Sequence, residues 1–301
     1  MNEPNKTVFQ DNESCYLFAY FRSGVCQTDL QPSLHLAYSN DAYMWTPLND
    51  NKPVWESALP AKKIRDPYLA KCKDGVWRVV FTCGEKQSFG MSESHDLIHF
   101  SEAKAVPVMA AYEHCQNTWA PEFFYDHQKD EYVVHWSSSL ENNTSNCIFY
   151  AITKDFITYT DTKVLFKPEY PVIDSHIVFH EGIYYLFYKD EYSAFFKDKG
   201  TPMATRIVTS QSATGPYTNE SGYITPDITE GAEIIKPDGS DVWLLYTDVW
   251  NAGRWVLSES KDLLHWDIVH ESKYAIPYQA RHGSFTRISP AELNRLMAHY
   301  G

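Results

Sequence analysis

An aromatic-rich strand pattern occurs five times along this 301-residue chain, and the repetition limits the possible folds more than any other feature. The copies begin at Cys15, Val76, Glu131, Ile183 and Val242, so that neighbouring copies lie 52 to 61 residues apart. Aromatic and β-branched residues favour strands. A strand-rich repeat of this length, with turn signals between the copies, is typical of propeller blades. We therefore predict an all-β fold, a five-bladed β-propeller.

A turn signal follows four of the five strands, in the form of an Asp with an aromatic residue four positions later. The pairs are Asp41 and Trp45, Asp96 and Phe100, Asp155 and Tyr159, and Asp262 and Trp266, whereas the fourth repeat has a Gly-Pro turn at 212–217. Since an Asp side chain can accept hydrogen bonds from the backbone that follows it, each Asp is predicted to close a turn.

The ends of the chain indicate how the ring closes. Strands 15–21 and 34–39 lack an inner strand before them, and segment 281–288 has no strand after it. We predict that the last segment supplies the inner strand of the first blade, which also covers exposed sheet edges. The predicted blades of this single domain, 1–301, are 281–289 with 14–60, 61–113, 117–165, 169–221 and 225–275. The helix predicted at 290–298 has Ser289 as N-cap and Glu292 at the capping-box position.

Each predicted inner strand carries a polar marker residue near its start. The markers are Asp66, Glu122, Asp174, Glu230 and His282, which lie 52 or 56 residues apart. Innermost strands line the channel of a propeller, so the markers are expected to face one another around the axis. Burial and like charges raise the pKa of clustered carboxyl groups. A protonated carboxyl group beside an ionised one is what cleavage of a glycosidic bond requires.

The charge balance restricts the partners. The chain has 26 Lys and Arg against 39 Asp and Glu, a formal charge of −13, with no basic cluster. Nucleic-acid-binding proteins need such a cluster, and a negative field disfavours anionic membranes. The negative charge favours a neutral substrate, and with the carboxylate markers we expect an oligosaccharide, no nucleic acid and no membrane, while the oligomeric state is left open. Six scattered cysteines and the absence of a signal sequence favour reduced thiols and a cytoplasmic location.

The sequence around the markers resembles glycoside hydrolase family 43, whose members are five-bladed propellers, and the resemblance covers essentially the whole chain. The matching elements are Asp66-Pro67, Asp174 in Ile173-Asp-Ser-His-Ile-Val-Phe179, Glu230-Gly231, Trp119-Ala-Pro121 and His282-Gly283. The resemblance implies that Asp66 is the general base and Glu230 the general acid of an inverting hydrolysis. Asp174 would tune and orient the acid. Ala232 stands where the family has Pro, which leaves Glu233 as a second possible acid.

Further candidate residues lie beside the three carboxylates. The substrate-binding candidates are Trp119, Glu122, Arg65, Arg281 and His176, and His282 is the candidate metal ligand. Trp119 either stacks on a sugar or packs in the core. The two arginines either bind hydroxyl groups or neutralise the acidic ring. The resemblance implies a structural calcium or sodium ion near the axis, facing His282, and no required cofactor.

The expected activity is the release of terminal α-L-arabinofuranose or β-D-xylose from oligosaccharides derived from plant polysaccharides. One alternative is a galactofuranose-type enzyme, and another is a propeller that binds glycans without cleaving them. A third is a fructan-type enzyme, in which Glu122 is the acid and Asp11 the nucleophile. Loops 84–91, 138–146 and 190–205 are expected to select the sugar, with 190–205, through Tyr192, Phe195 and Phe196, forming a wall of the pocket.

Overall fold

The computed structural model describes residues 9–10, 13–23, 31–141, 145–191 and 203–301, which form five antiparallel sheets and one α-helix. The first three sheets contain β1 (Cys15–Arg22), β2 (His35–Ser39) and β3 (Thr46–Pro47), then β4 (Arg65–Lys71), β5 (Trp77–Thr82), β6 (Phe89–Ser94) and β7 (Lys104–Val106), then β8 (Trp119–Asp126), β9 (Glu131–Ser138), β10 (Cys147–Thr153) and β11 (Lys163–Phe166). The fourth and fifth contain β12 (Val172–His180), β13 (Ile183–Asp190) and β14 (Thr205–Ser210), then β15 (Thr229–Ile235), β16 (Trp243–Val249), β17 (Arg254–Ser260) and β18 (Asp267–Ile268). Strand β19 (Ala280–Ile288) joins the first sheet, and 3₁₀ turns lie at Asn49–Asn51 and Glu271–Lys273.

The five sheets are the blades of a propeller, numbered 1 to 5 in chain order, which confirms the predicted fold. Strand β19 pairs with β1 on the inner side of blade 1, so the last strand of the chain closes the ring as predicted. The ring of Phe285 in β19 stacks on Phe18 of β1, with the ring centroids 4.3 Å apart. Gly283 lies so close to β1 that a Cβ atom there would approach the Ala19 carbonyl oxygen to 2.0 Å.

Apolar side chains fill the spaces between neighbouring blades. Five buried clusters lie among the described residues, and each joins two adjacent blades. The cluster between blades 1 and 2 also buries Leu293 and Leu296 of helix α1 (Pro290–Tyr300). The predicted capping box of this helix is present, since Ser289 and Glu292 bond each other's backbone N–H groups. These contacts hold the innermost strands in a rigid ring.

The repeated Asp closes a turn as predicted. In blade 2, Asp96 Oδ1 accepts hydrogen bonds from the backbone N–H groups of Ile98 and His99, at 2.9 and 2.8 Å. Ser94 Oγ accepts from the N–H of Leu97, which has a φ of 65° and a buried side chain. The same arrangement recurs around Asp41, Asp155 and Asp262.

Two further features concern the described part of the chain. Its single α-helix is too short and too polar to cross a membrane. Its five cysteines are buried free thiols, and the sixth, Cys26, lies outside the described residues.

The close approach at Gly283 generates a test of ring closure. We expect Gly283→Ala to lower the free energy of unfolding by about 3 kcal/mol, because the added methyl group meets the backbone of β1 and not a movable side chain. Urea unfolding of both proteins gives this difference. In the control variant Gly222→Ala, nothing lies within 4 Å of the added Cβ, so stability should change little. Equal losses in the two variants would contradict the proposed role of the β1–β19 contact.

Candidate active site

A β-bulge interrupts every innermost strand close to its start. In blades 2 to 5 the pairing skips two residues, for example between Arg65 and Tyr68 of β4. In β19 the skipped residue is His282. The first skipped residue has a positive φ in blades 2 to 5, including 50° at both Asp66 and Asp174. A bulge changes the direction in which side chains point. All five bulges lie near the face of the propeller where the innermost strands begin, which we call the entry face.

The residues around the bulges form three rings: those that precede the bulge, those that begin it, and those that follow it. The upper ring contains Arg65, Trp119, Ile173, Glu230 and Arg281, the middle ring Asp66, Ala120, Asp174, Gly231 and His282, and the lower ring Tyr68, Glu122, His176, Glu233 and Ser284. The prediction that the five markers share one position is therefore wrong for two of them. Glu230 precedes its bulge and Glu122 follows its bulge, because spacing along the chain does not reveal where pairing is interrupted.

Asp66 occupies a strongly polar setting in the middle ring. Its Oδ2 accepts a hydrogen bond from Thr82 Oγ1 at 2.8 Å, and its Oδ1 lies 3.5 Å from His282 Nδ1. Burial by itself would raise the pKa of this carboxyl group, but the contact with His282 and the charge of Arg65 outweigh burial and lower the pKa to about 2. Asp66 is therefore ionised at neutral pH, as a general base must be.

Asp174 links the middle ring to the segment that carries Glu230. Its Oδ2 accepts from the Gly231 N–H at 3.1 Å, and its own N–H donates to Ser137 Oγ at 3.1 Å. Burial raises the pKa of Asp174, and the charge of Glu230 adds to this, although His282 offsets part of the increase. Asp174 thus fixes the backbone directly after Glu230.

Glu230 is held by two cations. Its Oε1 lies 2.8 Å from Arg281 Nη2, and its Oε2 lies 2.9 Å from Lys189 Nζ. Lys189 also contacts Glu191 at 2.6 Å, and Arg281 also contacts Asp248. Protonation of Glu230 would weaken both contacts, because a neutral carboxyl group attracts a cation less strongly than a carboxylate does.

The lower ring holds a second acidic group. His176 Nδ1 lies 2.8 Å from Glu122 Oε2 and 3.5 Å from Glu233 Oε2. Burial is the main reason that the pKa of both Glu122 and Glu233 is raised, to about 8. The side chain of Glu233 is 2% exposed, whereas that of Glu230 is 13% exposed. Of the two possible acids, Glu230 is therefore the more accessible.

Three residues near the axis could provide ligands for the expected ion. Glu122, Glu233 and His282 offer ligand atoms within 4.8 Å of one another. Calcium takes six to eight oxygen ligands, whereas this set offers two carboxylates and an imidazole nitrogen. Both nitrogens of His282 also face carboxylates, Asp66 at 3.5 Å and Glu233 at 3.8 Å. The set does not match calcium or sodium.

Four supporting residues were missed by the sequence analysis. Thr82, Ser137, Lys189 and Asp248 lie on the second strand of their blades, opposite the upper ring, and each contacts the innermost strand of the next blade. Thr82 accepts from the Ala120 N–H, and Asp248 accepts from the His282 N–H. The available signal was their shared position, because each ends one of the repeated aromatic-rich strand units.

The remaining predicted residues have varied surroundings. Trp119 begins β8 and is 36% exposed at the entry face. The guanidinium of Arg65 lies 5.1 Å from the ring centre of Phe21. Arg281 is buried and contacts Glu230, Asp248 and Ser23, which fits the neutralising alternative. Asp11, Tyr192, Phe195 and Phe196 lie outside the described residues.

The family model described as "Probable glycosyl hydrolase domain", which is related to glycoside hydrolase family 43, matches residues 11–294. The chain belongs to this family. The match covers all five blades of this glycosyl hydrolase domain and confirms the relationship predicted from the marker motifs.

Known proteins resemble this glycosyl hydrolase domain in sequence or in structure. An α-L-arabinofuranosidase of Bifidobacterium longum subsp. longum is 31% identical over 136 residues, which is 40% of this chain but only 12% of that protein. The structure of a thermostable family-43 glycoside hydrolase aligns with a TM-score of 0.62 and 19% identity, covering 76% of this chain and 80% of the other. A family-43 β-1,3-galactosidase, solved with galactodeoxynojirimycin, aligns with a TM-score of 0.60 and 13% identity, covering 89% and 94%. The two structures support the fold.

The contacts of Lys189 generate a stability prediction. We expect Lys189→Met to lower the free energy of unfolding by about 3 kcal/mol, since it leaves Glu191 and Glu230 without the buried cation between them. Urea unfolding measures the loss. Lys71→Met is the matched control, because Lys71 pairs with Glu292 at 2.9 Å but is 47% exposed, so its loss should stay below about 1 kcal/mol. A Lys189 variant as stable as the control would contradict the structural role of this ion pair.

Proposed function

We propose that this glycosyl hydrolase domain hydrolyses O-glycosidic bonds of oligosaccharides with inversion of the anomeric centre. The observation that carries the proposal is the placement of Asp66, Asp174 and Glu230 at the bulges of blades 2, 4 and 5, with different electrostatic surroundings. Pairs of carboxyl groups with separated proton affinities are characteristic of glycosidases.

Asp66 acts as the general base. Because its pKa is lowered to about 2, it is ionised and ready to accept a proton from a water molecule. As that proton transfers, the water oxygen attacks the anomeric carbon from the face opposite the leaving group. Thr82 fixes one carboxylate oxygen, which leaves the oxygen on the His282 side for the water.

Glu230 acts as the general acid. It gives its proton to the glycosidic oxygen while the bond from that oxygen to the anomeric carbon breaks. The carboxylate left behind pairs with Lys189 and Arg281, which lie 2.9 and 2.8 Å from its oxygens. Asp174 orients Glu230 through its hydrogen bond to the Gly231 N–H.

The proposed substrate carries a terminal pentose, α-L-arabinofuranose or β-D-xylose. The similarity to an arabinofuranosidase at 31% identity supports the arabinose choice. A terminal β-1,3-linked galactose is the second candidate, because a β-1,3-galactosidase structure aligns over 94% of its length. Hydrolysis of the p-nitrophenyl glycosides of the three sugars by wild-type protein distinguishes these candidates. Absence of activity on all three would contradict this choice of sugars.

The roles of the two carboxylates separate when the leaving group is varied. For Glu230→Gln, we expect kcat/KM to fall about a thousandfold on an unactivated oligosaccharide but far less on a 2,4-dinitrophenyl glycoside, which needs no proton to depart. For Asp66→Asn, the loss should be about a thousandfold on both substrates, because each reaction needs an activated water.

Glu259→Gln is the control, since Glu259 lies on β17 and bonds the Tyr43 hydroxyl, away from the three rings. Equal losses for Glu230→Gln on the two substrates would contradict its role as the acid. An Asp66→Asn protein that keeps its activity would contradict the role of Asp66 as the base.

A further inference from the structure

Three large apolar side chains stand exposed on the entry face beside the upper ring. Ile228 is 46% exposed, Trp250 44% and Tyr278 74%. Ile228 lies two residues before Glu230, and Tyr278 lies three residues before Arg281. We call these three residues the apolar ledge. Grouped apolar side chains on the surface of a protein are typical of ligand-binding sites.

The backbone of the ledge is held in place. The carbonyl oxygen of Ile228 accepts from the Trp250 N–H at 2.9 Å, which ties the loop before β15 to the turn after β16. The carbonyl oxygen of Tyr278 accepts from Arg22 Nε and from Asn51 Nδ2, both at 3.2 Å. Ile228 also has a φ of 64°, a conformation that is unfavourable for a β-branched residue. The structure therefore maintains an exposed ledge at a conformational cost.

A groove continues from the ledge along the outer edge of blade 5. It has a volume of about 700 Å³, and its lining includes Pro226, Gly253, Arg254, Tyr274, Pro277 and Tyr278. Strand β18 pairs with β17 only at Ser258 and Glu259, so the upper half of β17 is not covered by a further strand. Aromatic rings and an arginine are suitable contacts for sugar rings and their hydroxyl groups.

The position of the ledge relative to Glu230 decides which part of a substrate reaches it. In the proposed function, on which this inference rests, Glu230 protonates the oxygen of the leaving group. The leaving group must therefore lie on the Glu230 side of the scissile bond. Since Ile228 and Tyr278 precede Glu230 and Arg281 in the chain and lie outward from them, a leaving group longer than one sugar extends across the ledge.

We propose that Ile228, Trp250, Tyr278 and the adjoining groove bind the sugar units of the leaving group, so that the substrate is an oligosaccharide chain of several units and not a disaccharide. Ring faces of Trp250 and Tyr278 would stack on successive sugars beyond the cleavage point. The enzyme would then prefer longer chains.

The experiment compares chain lengths. We measure kcat/KM of wild type, Trp250→Ala and Tyr278→Ala on arabino-, xylo- or β-1,3-galacto-oligosaccharides of two to five units, chosen by the sugar that wild type cleaves. For wild type, kcat/KM should rise with length. In each Ala variant, the ratio of kcat/KM for five units to that for two should fall about fivefold, through a higher KM. Trp250→Phe, which keeps an aromatic ring, should restore most of the ratio.

Leu264→Ala is the matched control, since Leu264 is 45% exposed on the same blade but follows the Asp262 turn. Its length ratio should equal that of wild type. A wild type that cleaves the aryl glycoside but shows no dependence on length would overturn the inference and leave the proposed function intact, as would a ratio unchanged in both Ala variants. Absence of cleavage on every glycoside would instead overturn the proposed function, and with it this inference.

Discussion

The bulge near the start of each innermost strand is the constraint on which the rest of the site depends. A regular strand would alternate its side chains between the two faces of the blade. The bulge interrupts that alternation and aims consecutive residues at the axis. The preceding blade stabilises the bulge, because Thr82, Ser137 and Asp248 on the second strands accept hydrogen bonds from the backbone of the bulge in the next blade. These hydrogen bonds between neighbouring blades therefore also position the carboxylates.

The three rings give each acidic group different neighbours. Asp66 faces a histidine and a threonine, Glu230 faces a lysine and an arginine, and Glu122 and Glu233 share a histidine of the lower ring. Against the effect of burial, the contact with His282 lowers the pKa of Asp66 to about 2, whereas burial raises the pKa of Glu122 and Glu233 to about 8. The carboxyl groups around the axis therefore differ in pKa, and such differences are typical of sites that carry out acid–base chemistry.

The architecture could be predicted because each blade is recognisable in the sequence as a repeated unit. The aromatic-rich strands, the turn-closing Asp residues, ring closure by 280–288 and the capped terminal helix are all present. The site was harder to predict, because a bulge depends on pairing with a neighbouring strand. Spacing therefore placed Glu122 and Glu230 in the same ring, although the structure separates them. Lys189 and Asp248 were missed because they end apolar strands and acquire their role only when the next blade packs beside them.

The most direct test of the central claim is the configuration of the sugar first released. Proton NMR during the earliest minutes of hydrolysis, before mutarotation, identifies that anomer. The account predicts inversion, because Asp66 directs water to the face opposite the leaving group that Glu230 protonates. A first product with retained configuration would require a covalent intermediate formed by a nucleophilic carboxylate, and would contradict the assignment of Asp66 as a base.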